Sequence, residues 1–266
     1  MKNKITLICL SIFLVNSLSY AQFTLYNTSN SGILDNNCWY VNQNSAGDVW
    51  VSTNTMGASI YSGSVWTTYT TGNSAIGANY ITPIAFENGG NVWMGSYTGY
   101  GGVSKFNGST WTVYNTSNSP LSGNDVIAMV IDGSGNKWIG TRYNGLCKFN
   151  GTTWTVYNTL NSGIPSDQIY SLEIDNSGNI WVGSSLSGLA KFDGVSNWTL
   201  YNTSNSSLPG NSVYSLKYNT NTNSIWIGTQ SGLAVLHNSV WTVYNTSIPN
   251  FPDNYIRGHN SCLRLG

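Results

Sequence analysis

The sequence predicts an all-β protein, specifically a β-propeller built from four-stranded antiparallel blades, because two motifs recur at the same spacing. An apolar-Trp-apolar-Gly/Ser motif occurs at Trp50, Trp93, Trp138, Trp181 and Trp226, with gaps of 43, 45, 43 and 45 residues. A nonapeptide similar to "WTVYNTSNS" begins at positions 23, 66, 111, 154, 198 and 241, with gaps of 43 to 45 residues. Both motifs therefore belong to one repeating unit of about 44 residues.

Each unit has the pattern of four short strands. The fourth unit contains the β-branched or aromatic runs "QIYSLEI", "IWVGS", "LAKF" and "WTLY", separated by Gly, Asn, Asp and Ser. The link "DNSGN" at 175–179 suits a tight hairpin, in which Asp accepts backbone N–H bonds and Gly supplies a positive φ. Because other units lose the spacing of a calcium loop, we interpret the link as a turn and predict no metal site and no cofactor. Five units are whole, at roughly 36–70, 79–115, 125–158, 167–202 and 211–245.

The first nonapeptide, "FTLYNTSNS" from Phe23, matches the outermost strand of a blade and precedes every whole unit. We expect it to complete a partial sixth blade together with the residues after Asn250, closing the ring with both ends of the chain. The next signature Trp would fall at about position 267, and the last ten residues lose the repeat. We therefore hypothesise that the reading frame is truncated or frameshifted in the sixth blade; the alternative is a genuine end with a degenerate strand. An unlatched blade edge predicts self-association.

Residues 1–21 have the pattern of a secretory signal peptide, with Lys2 and Lys4, an apolar run over 5–15 and cleavage after Ala21. The propeller domain would span 22–266, in a secreted or periplasmic, cell-surface protein with no membrane span. Charged residues make up 8% of the chain, and without the two signal-peptide lysines 8 basic residues face 10 acidic ones. This balance offers no patch for nucleic acid. The remaining cysteines, Cys38, Cys147 and Cys262, are odd in number and indicate no disulfide framework.

The runs "IDNSGNIWVGSSLSGLAKFDG" (174–194) and "IDGSGNKWIGTRYNGLCKFNG" (131–151) resemble the two-component regulator propeller repeat. That repeat has Asp, a Gly turn, Trp with Gly-Thr, then Gly-Leu and a Phe-Asp/Asn ending. The resemblance covers essentially the whole predicted mature chain. It implies a periplasmic or extracellular sensing propeller, a class that most often precedes a membrane span and a histidine kinase; neither follows in this sequence.

Residues that differ between equivalent positions are better ligand-binding candidates than residues that recur in every unit. The recurrent Trp side chains are expected to pack between blades. Gly95, Gly140, Gly183 and Gly228 are expected to let backbones approach. The loops between the second and third strands should surround one mouth of the central channel, and there five residues are neither small nor recurrent: Tyr97, Tyr100, Arg142, Tyr143 and Gln230. Such side chains suit a neutral or weakly acidic polar ligand. Alternatively, the tyrosines only shield the channel mouth.

The sequence favours a binding or sensory module for an extracellular glycan, peptide or protein ligand, and not an enzyme. No catalytic residues are predicted, because only His237 and His259 offer imidazole and no G-x-S-x-G, H-E-x-x-H or His/Cys cluster occurs. Two alternatives remain open: a polysaccharide lyase or hydrolase on a propeller, and a structural surface or adhesion protein.

Overall fold

Five sheets of four antiparallel strands make up the computed structural model, which describes residues 24–97 and 99–257. The predicted all-β propeller is confirmed, and the described residues contain strands and turns without a helix. The predicted signal peptide at 1–21 and the tail that carries His259 and Cys262 lie outside the described residues.

Each blade is a meander in which strands that follow one another in sequence are hydrogen-bonded neighbours. The first blade contains β1 (Cys38–Gln43), β2 (Val49–Thr53), β3 (Ala58–Ser62) and β4 (Val65–Tyr69). The second contains β5 (Ile81–Phe86), β6 (Val92–Ser96), β7 (Val103–Phe106) and β8 (Trp111–Tyr114). The third contains β9 (Val126–Ile131), β10 (Lys137–Thr141), β11 (Leu146–Phe149) and β12 (Trp154–Tyr157). The fourth contains β13 (Ile169–Ile174), β14 (Ile180–Ser184), β15 (Leu189–Phe192) and β16 (Trp198–Tyr201), and the fifth β17 (Val213–Asn219), β18 (Ser224–Thr229), β19 (Gly232–His237) and β20 (Val240–Tyr244).

The first strands of successive blades lie side by side around the axis, so that β1, β5, β9, β13 and β17 form the inner wall. The predicted glycines lie where neighbouring blades approach. A Cβ on Gly140 would come within 2.6 Å of the Ile169 side chain, and one on Gly183 within 2.7 Å of Val213. Such distances would force the blades apart, so these positions must remain glycine.

The hairpin between the first two strands is the predicted Asp turn. In the fourth blade, Asp175 Oδ1 accepts hydrogen bonds from the backbone N–H groups of Ser177 and Asn179, at 2.9 and 3.0 Å. Gly178 has a φ of +80°, as the turn requires. The second carboxylate oxygen accepts the Nε1–H of Trp181 at 2.9 Å. The same bond joins Trp93 to Glu87 and Trp138 to Asp132, so turn and signature Trp are tied together in the second, third and fourth blades.

Adjacent blades are joined by aromatic rings, and at three of the four interfaces between whole blades these form a cluster of four, here called the aromatic quartet. Between the third and fourth blades it consists of Trp138, Tyr157, Phe192 and Trp198, with ring centroids 4.2 to 6.1 Å apart in the five close pairs. Trp138 and Phe192 are fully buried. Offset-stacked and edge-to-face pairs at these distances are favourable beyond their area burial. The expectation that the signature Trp residues pack between blades is confirmed for Trp50, Trp93, Trp138 and Trp181, which are all buried.

The N-terminal segment takes the place of an outer strand that precedes the first blade. Tyr26 lies 5.6 Å from Trp66 between ring centroids, as Tyr157 lies 6.1 Å from Trp198. The turn after Tyr26 packs on the first blade as the turn after Tyr157 packs on the fourth. A Cβ on Gly32 would meet Trp66, and a Cβ on Gly163 would meet Trp198. The segment therefore supplies part of a sixth blade, as predicted from its sequence.

The C-terminal described residues start the inner strand of the same sixth blade. The N–H of Ile256 donates to the carbonyl of Thr229 at 2.9 Å. A Cβ on Gly228 would meet Ile256, as one on Gly183 would meet Val213. Both ends thus contribute to a partial sixth blade.

One ion pair is buried between the second and third blades. Lys137 is 3% exposed, and its Nζ lies 2.9 Å from Oε1 of Glu87. It also lies 4.7 Å from the centroid of the Trp93 ring, within cation–π range. The equivalent residues of the fourth and fifth blades are Ile180 and Ile225. Among these three blades, only the third has a charged side chain at this position.

We predict that Phe192→Ala lowers the free energy of unfolding by about 3 to 5 kcal/mol, because it removes the central ring of a buried quartet. Urea unfolding followed by circular dichroism measures the change. Leu160→Ala is the control: this side chain is 93% exposed, so its loss should change stability by less than about 0.5 kcal/mol. Equal effects of the two substitutions would contradict the structural role of the quartet.

We also predict that Glu87 makes stability depend on pH. Partial burial tends to raise the pKa of Glu87, but hydrogen bonds from Lys137, Asn91 and Trp93 outweigh it and bring the pKa below its ordinary 4.5. A carboxyl group with a lowered folded pKa contributes stability above its unfolded pKa and loses it as the pH falls through the folded pKa. Stability should therefore decrease as the pH falls below 4.5. Glu87→Gln should remove that part of the decrease.

The comparison of wild type with Glu87→Gln isolates this carboxyl group, because the pKa of Asp193 is also lowered, to about 2, by backbone hydrogen bonds. Glu87→Gln leaves Lys137 buried without its counter-charge, which should cost about 3 kcal/mol at neutral pH. The double variant Glu87→Gln, Lys137→Ile should recover most of this loss, since isoleucine occupies the same place in later blades. An unchanged pH profile in the single variant would refute the assignment.

Candidate ligand-binding site

A cavity of about 390 Å³ opens at the mouth of the central channel. It lies on the side of the ring that carries the loops between second and third strands. Ten described residues line it: Trp39, Tyr40, Thr82, Tyr97, Ile127, Arg142, Tyr170, Ser171, Tyr214 and Arg257. We call this space the mouth cavity. Its volume is within the range of small-molecule sites.

Most of the wall comes from one position in each inner strand. The pairing of the first and second strands shifts register near the start of the first strand, so that the inner strand carries an extra residue. The extra residues are Trp39, Ile127, Tyr170 and Tyr214, and Thr82 lies in the corresponding irregularity of β5. Such β-bulges redirect a side chain and are over-represented next to functional sites. Here they direct one side chain per blade into the mouth cavity.

Arg257 continues this series in the partial sixth blade. It follows Ile256, which is anchored on Thr229, just as Tyr214 follows Val213. Ile256 and Arg257 have the same positions relative to the fifth blade as Val213 and Tyr214 have relative to the fourth blade. The mouth cavity therefore receives a side chain from all six positions around the axis.

Each arginine of the mouth cavity lies against two tyrosine rings. The Cζ atom of Arg142 is 4.9 Å from the ring centroids of both Tyr97 and Tyr143. The Cζ atom of Arg257 is 4.9 Å from the Tyr214 centroid and 4.7 Å from that of Tyr255. Guanidinium groups remain charged in proteins. The rings hold these two cations in position at the mouth cavity.

Aromatic rings at the mouth cavity form two rows of three rings each, which we call arcs. In one arc, Tyr80 lies between Trp39 and Tyr97, at centroid distances of 5.3 and 5.1 Å. In the other, Tyr214 lies between Tyr170 and Tyr255, at 5.4 and 5.1 Å. Each arc ends at one of the arginines. Ring faces and cationic groups therefore alternate around the opening.

The electrostatics of the mouth are cationic. Hydrogen bonding with Tyr255 lowers the pKa of Tyr214, and Ser212 and Arg257 act in the same direction against a contribution from burial. Burial raises the pKa of Tyr80, as does Tyr97, while Arg142 partly opposes them. No residue among the ten described lining residues is acidic. An anionic or hydrogen-bond-accepting group is thus the chemical partner that this surface can stabilise.

The five residues predicted from the sequence fall into different environments. Tyr97 and Arg142 line the mouth cavity and contact each other. Tyr143 packs on Arg142 but is 52% exposed and lies outside the lining residues. Tyr100 is 86% exposed at a loop tip and does not line the cavity. Gln230 accepts the Ser212 N–H at 2.7 Å, which gives it a structural role in its loop.

Sequence reasoning missed the bulged residues and Arg257. Trp39, Tyr170 and Tyr214 lie in strands whose alternation predicts regular pairing, so nothing local marks them as channel-facing. An alignment of the units could have identified these residues, because an aromatic side chain occupies this position of the inner strand in several units but not in all of them. Arg257 is the first of the last ten residues, which lose the repeat in sequence, although its position in the blade is equivalent to that of Tyr214.

Residues 163–185 match the Two component regulator propeller family, and they overlap the run 174–194 that resembles its repeat. No curated protein matches the chain. No described helix is long and apolar enough to cross a membrane.

Solved structures similar to this chain are β-propellers. The extracellular domain of the hybrid two-component system BT3049 of B. thetaiotaomicron is 22% identical, with a TM-score of 0.66, over 79% of this chain and 30% of that one. PorZ, a surface component of the type-IX secretion system of Porphyromonas gingivalis, is 19% identical, with a TM-score of 0.63, over 82% and 35% of the two chains. The chain therefore spans about a third of these two relatives.

An enzyme is also among the similar structures. Virginiamycin B lyase from Staphylococcus aureus is 13% identical, with a TM-score of 0.67, over 85% of this chain and 74% of that one. At this identity the likeness is one of fold. The fold and the matched repeat together confirm the resemblance found in the sequence: the chain is a β-propeller that carries the two-component regulator propeller repeat.

Proposed function

We propose that the protein is an extracellular or periplasmic binding module, with a sensory or capture role, whose ligand occupies the mouth cavity. One observation carries this proposal. Bulges in three of the five described inner strands, which interrupt regular pairing, direct aromatic side chains into a single opening that also holds two arginines. A purely structural ring would gain nothing from that interruption, since the quartets already join the blades.

The chemistry of the mouth favours a weakly acidic glycan as ligand. A sugar ring has an apolar face that can stack on Trp39 or Tyr170, and a carboxylate can accept hydrogen bonds from a guanidinium fork. Arg142 and Arg257 are positioned by tyrosine rings, so little side-chain freedom is lost on binding. A peptide with a free carboxyl terminus offers the carboxylate but only an occasional ring, and we place it second.

Binding is favoured over catalysis for this chain. The lyase similarity concerns the fold, and the ten described lining residues include no histidine, aspartate or glutamate. His237 is exposed at the end of β19 and is paired with Asn238. Of the residue types that usually act as general acid or base, only tyrosine lines the cavity, and neither a histidine nor a carboxylate lines it to assist. The localisation rests on the signal-peptide pattern and agrees with the extracellular domain to which the fold is similar.

We predict that Arg142→Ala and Tyr97→Ala each weaken binding of an acidic oligosaccharide at least about tenfold, since each removes a charge-assisted or stacking contact. Isothermal titration with oligogalacturonides, matched neutral galactan fragments, and peptides with free or amidated carboxyl termini measures the affinity. Tyr100→Ala is the control, because this residue belongs to the same rim, is 86% exposed and does not line the cavity.

Three outcomes would contradict the proposal. Equal binding by the wild type and all three variants would place the site away from the mouth cavity. A preference for the neutral fragments would remove the role of the arginines. Cleavage of the polysaccharide that is lost in Arg142→Ala would instead identify an enzyme. Preference for free peptide carboxyl termini would retain the site and replace the ligand class.

A further inference from the structure

One of the four interfaces between whole blades lacks a ring of the aromatic quartet. In the first three, a phenylalanine from the third strand of the later blade stacks on the outer-strand Trp. The pairs are Phe106 on Trp111, Phe149 on Trp154 and Phe192 on Trp198, with centroid distances of 4.5, 4.4 and 4.2 Å. Each phenyl ring also contacts the tyrosine of the preceding blade.

Leu236 occupies the phenylalanine position of the fifth blade. It is the strand partner of Trp241, as Phe192 is of Trp198. The tyrosine that the preceding blade contributes to a quartet is present here: the ring centroid of Tyr201 lies 5.6 Å from that of Trp241. Trp181 is also present and stacks on Tyr201 at 6.0 Å. Three of the four rings therefore surround an aliphatic side chain that is smaller than a phenyl group.

A cavity of about 300 Å³ lies at this interface, and we call it the inter-blade cleft. Trp181, Tyr201, Leu236 and Trp241 all line it, with Asp175 and Lys191. An engineered apolar cavity of about 150 Å³ is already sufficient to bind benzene. The inter-blade cleft, which lies beside Leu236, thus has room for one substituted ring.

The polar residues of the cleft favour a ring that bears a hydroxyl group. Lys191 Nζ lies 5.4 Å from the Trp181 centroid and 3.9 Å from Oδ2 of Asp175. Asp175 already accepts the indole N–H of Trp181, the backbone N–H groups of Ser177 and Asn179 and the side-chain amide of Asn179, so its four lone-pair sites are occupied. The ammonium group of Lys191, which has three N–H donors, is therefore the polar partner for a phenolic hydroxyl, whose oxygen can accept one of them.

We propose that the inter-blade cleft is a binding site for a single phenol ring, which inserts beside Leu236 and completes the quartet with Trp181, Tyr201 and Trp241. The ring belongs either to a free phenolic compound or to a tyrosine side chain of a partner. The cleft shares no lining residue with the mouth cavity. It lies beside the hairpins that join first to second and third to fourth strands, at the opposite rim. This site is therefore independent of the function proposed above.

The test is titration of the protein with p-cresol and with N-acetyl-tyrosine amide, followed by tryptophan fluorescence and by ligand-observed nuclear magnetic resonance. We expect one saturable site. Leu236→Phe should weaken binding at least about tenfold while the thermal midpoint stays equal or rises, because the new ring fills the cleft as in the other blades. Tighter binding of the tyrosine derivative would indicate a peptide source, and tighter binding of p-cresol a free phenol.

A matched variant creates the same gap elsewhere. Phe192→Leu reproduces the Leu236 arrangement at the third interface and should raise the stoichiometry from one ring to two, with circular dichroism checking that the fold persists. Arg142→Ala should leave ring binding unchanged. Absence of saturable binding, or binding that Leu236→Phe does not weaken, would overturn the proposal.

Discussion

The contact on which this structure depends is the aromatic quartet between neighbouring blades. A four-stranded blade has two faces to bury, and with 8% charged residues the chain has few ion pairs with which to join them. The signature Trp supplies one ring from the second strand, and the nonapeptide supplies a Trp and a Tyr from the fourth. Because each ring meets rings of the next blade, the spacing of the motifs along the chain becomes the spacing of the blades in the ring.

The nonapeptide has a second role that accounts for its polar half. After the outer-strand tyrosine, the side chain of Asn161 accepts the N–H of Asn158 at 2.9 Å, and Asp167 accepts the N–H of Thr159 at 2.8 Å. These bonds shape the turn that carries the chain to the next blade. The N-terminal copy makes the same bonds, since Asn30 accepts the N–H of Asn27 and Asn36 that of Thr28. The N-terminal segment therefore docks on the first blade with the same turn that the nonapeptide forms between whole blades.

Much of the fold could be predicted because repetition turns weak local signals into strong ones. A single run such as "IWVGS" does not distinguish a strand from a short buried helical segment, but five copies in phase with a second motif do. The division into blades and the packing role of the signature Trp follow from that phase. The hydrogen bond from Trp181 to Asp175 could not be predicted, because it depends on how the hairpin folds back on its own strand.

The candidate site was predictable only in part, for a physical reason. Loop residues such as Tyr97 and Arg142 are visible as departures from the repeat. The bulged residues Trp39 and Tyr170 reach the channel because strand pairing slips by one residue, and hydrophobic alternation carries no record of such a slip. Gln230 shows the opposite error: its polar side chain differs from its equivalents because it supports the local backbone. The missing phenyl ring at Leu236 becomes meaningful only once the three filled interfaces have been seen.

The measurement that bears most directly on this account is hydrogen exchange, followed by mass spectrometry, with and without the acidic oligosaccharide that binds most tightly. We predict that the ligand slows exchange in the first residues of β1, β13 and β17 and in the loops of Tyr97 and Arg142. Protection confined to the outer strands, or to the hairpins at the opposite rim, would contradict the assignment of the mouth cavity as the ligand site.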